Sequence, residues 1–173
     1  PVSLPDYRSI ADIPFRQARA GGGRTAVAHA GGSLGFADLD ERARRFAACL
    51  ERSGAGRGER VASRLPNLPE FAVAYFGAIA AGAVAVPVNT RLAPPEVGYV
   101  LRDCAAAALV TTPPRLEAVA GEALPALRLR ISVRGEAPGA VPFAAALEAP
   151  PRPEPAQVDP GDVATLLYTS GTT

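Results

Sequence analysis

Apolar runs of two different periods alternate along this chain, and that alternation constrains its fold more than any other feature. Phe36, Leu39, Ala43, Phe46, Ala47 and Leu50 recur at spacings of three and four, the apolar face of an amphipathic helix that Gly54-Ala55-Gly56 ends. Residues 60–65 then read as a strand. Asn67 caps the next helix, with Glu70 three positions on, and that helix stops at Gly82. Ala83-Val84-Ala85-Val86-Pro87-Val88 is apolar throughout, as a parallel strand covered on both faces must be. Pro94-Pro95-Glu96 opens a further helix that ends near Cys104, and Ala108-Leu109-Val110-Thr111 is the next strand. Strands alternating with helices imply right-handed βαβ crossovers. The fold class is therefore α/β, a mostly parallel sheet flanked by helices.

The flanks are read less sharply. Residues 1–10 are extended; Asp12 caps a short helix over 13–20, which Gly21-Gly22-Gly23 ends. Thr25-Ala26-Val27-Ala28 and Ser33-Leu34-Gly35-Phe36 flank Ala30-Gly31-Gly32 as an early β-hairpin. Beyond Thr111, residues 115–121 suggest a helix, 127–133 a strand and 141–147 a short helix. Pro150-Pro151-Arg152-Pro153-Glu154-Pro155 suits neither state and marks 149–160 as a stiff surface connector. A strand returns at 163–167, so 11–173 reads as one domain.

Composition removes several function classes. Formal net charge is +1, which gives no electrostatic capture of nucleic acid or an anionic membrane. All 18 cations are arginines, so neither a Schiff-base amine nor a P-loop lysine is available within this stretch. The longest apolar stretch, 71–88, is broken by Gly77, Gly82 and Pro87 and is no transmembrane segment. With no basic, apolar leader at its start, the chain is expected in the cytoplasm. Cys49 and Cys104 fall inside helices without CxxC spacing and read as buried thiols in a reducing compartment. His29, the one histidine, has no Ser/Asp constellation around it and reads as a surface or packing residue. Arg42, Arg44 and Arg45 read as a solvated helix face, and Arg128, Arg130 and Arg134 as the open side of a strand. Asn89 and Arg91, just past the buried strand, read as loop anchors ahead of substrate contacts.

The last residues carry the chemistry. Thr169, Ser170, Thr172 and Thr173 place four hydroxyls around Gly171, directly after the 163–167 run. A strand that delivers such a loop at its carboxyl end matches the ligand position of open α/β sheets. Hydroxyls and freely oriented backbone N–H groups can wrap phosphate oxygens. A Ser/Thr-rich surface turn has the same composition, and no GxxxxGK[ST] loop occurs anywhere in the chain.

Tyr168-Thr169-Ser170-Gly171-Thr172-Thr173 resembles the first half of the signature loop of the adenylate-forming (AMP-binding) enzymes, the superfamily of acyl-CoA synthetases, peptide-synthetase adenylation domains and luciferases. Upstream, "GSLGFADLDERARRFAACLERSGAGRGERVA" is similar to the family's hairpin, helix and Gly-x-Gly-Asp-x-Val step, with Glu59 where Asp is usual. "NLPEFAVAYFGAIAAGAVAVPVNTRLAPPEVGYVLRDCAAAALVTT" is similar to its next helix, turn and strand. Val88-Asn89-Thr90-Arg91-Leu92 before Pro94-Pro95-Glu96 looks more like acyl-CoA synthetases than peptide-synthetase domains.

The resemblance implies a ligase that takes a carboxylic acid, ATP, Mg2+ and coenzyme A, forms an acyl-adenylate and then a thioester. Thr169, Ser170, Gly171, Thr172 and Thr173 would serve the ATP phosphates, while Tyr168 packs the strand end. It implies no catalytic residue within these 173, because the family's lysines, glutamate and mobile C-terminal domain would follow Thr173. On that reading the stretch is the N-terminal piece of the enzyme, inactive by itself, with a homodimer left open. A peptide-synthetase adenylation domain, a non-catalytic nucleotide-binding module and a structural remnant are the alternatives.

Overall fold

The computed structural model describes residues 7–169. Helix α1 (Asp12–Gly21) precedes a hairpin of β1 (Thr25–His29) and β2 (Gly32–Gly35), which leads straight into α2 (Phe36–Arg52). Then β3 (Arg60–Arg64), α3 (Pro69–Ala80), β4 (Val84–Pro87), α4 (Pro94–Asp103) and β5 (Ala106–Thr111) follow in strict alternation. Short elements complete the order: α5 (Pro113–Glu117), β6 (Leu129–Ser132), β7 (Val141–Pro142) and α6 (Phe143–Ala146). The hairpin is antiparallel, and the five-stranded sheet, in order β4-β3-β5-β6-β7, is parallel throughout.

Strand side chains alternate between two cores, as the period of two requires. Val61, Ala85, Ala108 and Val110 join Phe46, Leu50, Val73 and Ala74 on the α2–α3 face. Ala62, Val86 and Leu109 join Val97, Val100, Leu101 and Leu116 on the α4–α5 face. The wholly apolar run at β4 is explained by this double coverage. α2 and α3 approach so closely that a Cβ on Gly77 would lie 2.8 Å from Phe46 Cδ1 and 2.9 Å from the Ala43 carbonyl. Past α3, Gly82 takes φ +71°, and the amides of Gly82 and Ala83 donate to the carbonyls of Ile79 and Ala78. Glycine there reverses the chain into β4 without steric cost.

Several local expectations are corrected. Leu68, not Asn67, stands at the start of α3 and Asn67 is exposed; the extended Leu68 followed by Pro69 sets the first turn. Asp12 is the first residue of α1, and its carboxylate reaches back to accept from the amides of Arg8 and Ser9. Val141 and Pro142 pair as a short edge strand before α6 begins; at the edge the missing proline N–H costs the ladder nothing. Most consequential, 163–167 is not a buried strand. Among the described residues it touches the sheet through one parallel bridge, Thr165 opposite Ala85, with Val163 61% and Leu167 64% exposed.

The arginine face of α2 also differs from a merely solvated one. Arg45 Nη1 donates to the Ala149 carbonyl at 3.1 Å, and Arg44 Nη1 bonds the Arg152 carbonyl. Arg152 in turn pairs with Glu51, and Arg57 Nη1 donates to the Gln157 carbonyl at 2.8 Å. Guanidinium forks therefore strap the proline-rich connector, whose proline nitrogens donate nothing, onto the domain. Cys49 and Cys104 are free and buried, as expected. Among the described residues, no helix is long and apolar enough to cross a membrane.

Candidate functional site

The carboxyl ends of parallel strands are where open α/β sheets bind ligands, and here three of them end on buried polar side chains. β3 ends at Arg64, β5 at Thr111 and β6 at Ser132. Arg64 and Thr111 are register partners, and Thr111 Oγ1 donates to the Arg64 carbonyl at 2.7 Å. Ser132 Oγ donates to the Gly135 carbonyl at 2.7 Å and closes the loop after β6.

Arg64 reaches across to the loop after β4. Its Nη2 donates to the carbonyls of Leu92 at 2.5 Å and Thr90 at 3.3 Å, while its buried Nε has no partner among the described residues. Burial disfavours the charge and lowers the pKa from the ordinary arginine value, and the nearby Arg115 cation lowers it further. Within the same loop Asn89 Oδ1 accepts from the Arg91 amide at 2.9 Å, so Asn89 does anchor the turn. Glu96 accepts from the Ala93 amide at 2.7 Å and closes the start of α4. Residues 89–96 are thus held from below by Arg64 and at both ends by local side chains, with the Arg91 side chain exposed.

The hydroxyl-rich run approaches this edge from the outer side of β4. The Ala85 amide donates to the Ala164 carbonyl at 3.0 Å, and the Leu166 amide donates to the Ala85 carbonyl at 2.9 Å. Thr165 Oγ1 shares a 2.8 Å hydrogen bond with the Tyr75 hydroxyl. Tyr168 packs against the α4 side of the core, and its hydroxyl donates to Asp103 Oδ2 at 2.5 Å. Burial, first, and this bond, second, push its pKa well above the ordinary tyrosine value. Thr169 follows, exposed. Ser170, Gly171, Thr172 and Thr173 lie outside the described residues.

Other candidates resolve into structure. The His29 imidazole accepts the Gly31 amide through Nδ1 at 3.1 Å and supports the hairpin turn. Arg128 bonds the Gly54 carbonyl and Glu59, and Arg134 pairs with Glu70; neither forms a free cationic strip. Among the described residues no three His, Cys, Asp or Glu side chains cluster to hold a metal. Sequence reasoning missed Arg64 and Asp103. An arginine inside "RVASRL" and an acid in the last turn of α4, where the helix dipole disfavours it, were the available signals.

Residues 14–173 match the family described as AMP-binding enzyme. The chain belongs to that family. Feruloyl-CoA synthase of an Amycolatopsis species is 41% identical over 166 residues, which cover 96% of this chain and 32% of that protein. The 3-hydroxybenzoate–CoA/4-hydroxybenzoate–CoA ligase of Thauera aromatica is 37% identical, over 88% of this chain and 30% of its own. The crystal structure of an anthranilate CoA ligase in complex with anthranoyl-AMP superposes with a TM-score of 0.89 at 31% identity, over 98% of this chain and 34% of its own. This AMP-binding chain thus spans about a third of the length of the curated relatives it matches. Its α/β sheet, helical layers and early hairpin are those of adenylate-forming CoA ligases.

Proposed function

We propose that the protein carrying this chain is an AMP-forming carboxylate–CoA ligase. The supporting observation is the family match, which runs through to Thr173 and ends on the hydroxyl run that follows the Thr165–Ala85 bridge. Residues 11–173 are then the first part of the AMP-binding domain, with 149–160 as its strapped connector. In the first half-reaction a carboxylate oxygen attacks the α-phosphorus of ATP, the bond to the bridging oxygen breaks, and pyrophosphate leaves with its electrons. The thiol of coenzyme A then attacks the acyl carbon and AMP departs.

Charge on the transferring phosphates calls for donors already in place. Thr169, Ser170, Thr172 and Thr173 would supply hydroxyls to the β- and γ-phosphates, and Gly171 an unobstructed backbone. These donors suit phosphate oxygens, and Mg2+ would accompany ATP as the family implies. Its chemistry there is to neutralise phosphate charge. The 173 residues alone would not turn over. Aromatic acids head the candidate substrates, since the feruloyl, hydroxybenzoate and anthranilate enzymes are named for them.

Incubating the full-length protein with MgATP, coenzyme A and a panel of aromatic and aliphatic acids tests this reading. An acyl-CoA thioester and equimolar AMP are expected with at least one acid; ADP and phosphate instead would refute it.

A further inference from the structure

Resting on that ligase reading, the geometry points to Asp103 as a positioning residue that fixes, through the Tyr168 hydroxyl, the root of the phosphate loop. Among the described residues one backbone bridge attaches the run before the loop to β4; Leu166 and Tyr168 pack against the α4 side of the core, and Val163 and Leu167 are exposed. Two side-chain bonds supplement the bridge: Tyr75 to Thr165 and Tyr168 to Asp103. The second is the one adjoining Thr169. A hydroxyl donating to a carboxylate is about twice as strong as a neutral pair. Among the described residues this is the side-chain hydrogen bond nearest the start of the hydroxyl run, and it ties the packed Tyr168 ring to the end of α4.

Asp103 is built to serve as a fixed point. It closes α4, whose Val97, Val100 and Leu101 are buried against the sheet. Immediately after it, Arg60 donates from Nε to the Cys104 carbonyl at 2.6 Å and from Nη2 to the Ala105 carbonyl at 2.8 Å, tying that helix end to β3. The neighbouring Arg102 turns away to Glu122, and Asp103 has no ion pair among the described residues. An acid at a helix C-terminus opposes the macrodipole, which a donor partner offsets. Tyr168 is that partner. The other end of α4 follows the loop held by Arg64 at the carboxyl ends of the strands, while Asp103 sits beside Arg60 and the start of β5.

The test uses the full-length protein with Tyr168→Phe, Asp103→Ala, their double variant and Asp103→Asn. In acid-dependent exchange of pyrophosphate into ATP, each single variant is expected to raise KM for ATP about tenfold, the scale of one charge-assisted hydrogen bond. The maximal exchange rate should change less. The double variant should be no worse than either single one, and Asp103→Asn, which keeps an acceptor, should recover most of the loss. A merely structural role would lower the melting temperature with KM unmoved, and that result overturns the proposal. Amide hydrogen exchange over 166–169 provides a readout independent of the chemistry: Tyr168→Phe should speed it, with protection of β4 and β5 retained. If the unaltered protein shows no pyrophosphate exchange, the ligase reading fails, and this protection still decides the link. Unchanged protection in both single variants would refute it.

Discussion

The Arg64 guanidinium donates to the Leu92 carbonyl 2.5 Å away and so joins the end of β3 to the loop after β4. That bond and the one to Thr90 hold two carbonyls of this loop. Arg64→Ala strands both, and a hydrogen bond from a charged donor contributes about 1.5–3 kcal/mol. The variant should lose stability of this order in urea unfolding of the domain, with Arg64→Lys recovering part of it. A loss below about 0.5 kcal/mol, the scatter of ordinary surface changes, would show the clamp to be energetically idle.

Gly77→Ala sets two effects against each other. Alanine improves helix propensity by about 1 kcal/mol over glycine. Its methyl, however, would press on Phe46 and on the Ala43 carbonyl, and backbone cannot yield as a side-chain tip can. Overpacking of a core costs about 1–3 kcal/mol, and at this α2–α3 crossing it should win. A lowered melting temperature is expected in the full-length protein. An equal or higher one would mean that the two helices part freely.

Burial raises the thiol pKa of both Cys49 and Cys104 above the ordinary cysteine value. The folded chain therefore keeps those protons to higher pH than the unfolded chain, which begins to release them near about 8.5. Their contribution to stability is complete below that pH and falls as pH rises through it toward the folded values. The Cys49→Ala, Cys104→Ala double variant should flatten the decline of the melting temperature between about pH 8 and 10. The same alkaline slope in the variant would place the thiols in water in the folded state.

Cutting the strap should loosen the connector and leave the sheet intact. Arg45→Ala removes the 3.1 Å bond to the Ala149 carbonyl and a surface pair with Glu41. Exposed pairs contribute little, so the expected cost is about 1 kcal/mol or less. Limited proteolysis within 149–160 should nevertheless accelerate several-fold. Cleavage at the unaltered rate would show that the Arg45 bond does not hold this segment.

Much of the fold was legible because its periods are unambiguous. The helix from Phe36 and the apolar run at β4 announce themselves, since one face or both faces must be covered. The 163–167 run was misread for a physical reason: apolar content says that a strand is possible, not that partners flank it. Asn67 was misplaced because Pro69 at the first helical position outweighs a capping side chain two residues earlier. At the site, the hydroxyls around Gly171 were visible as composition. Arg64 and Asp103 were not, because their partners lie at Leu92 and Tyr168, 28 and 65 residues along the chain, and only the folded sheet brings them together.

The phosphate role of Thr169 is open to direct substitution. Thr169→Ala should raise KM for ATP by several-fold while leaving the melting temperature unchanged, since the side chain is exposed. A variant with unaltered kinetics would remove Thr169 from the phosphate site.

Pyrophosphate exchange reads adenylation before any thioester forms. With the full-length protein, MgATP and labelled pyrophosphate, label should enter ATP only when a carboxylic acid is supplied, and without coenzyme A. No incorporation across a broad panel of aromatic and aliphatic acids, or incorporation independent of acid, would rule adenylation out.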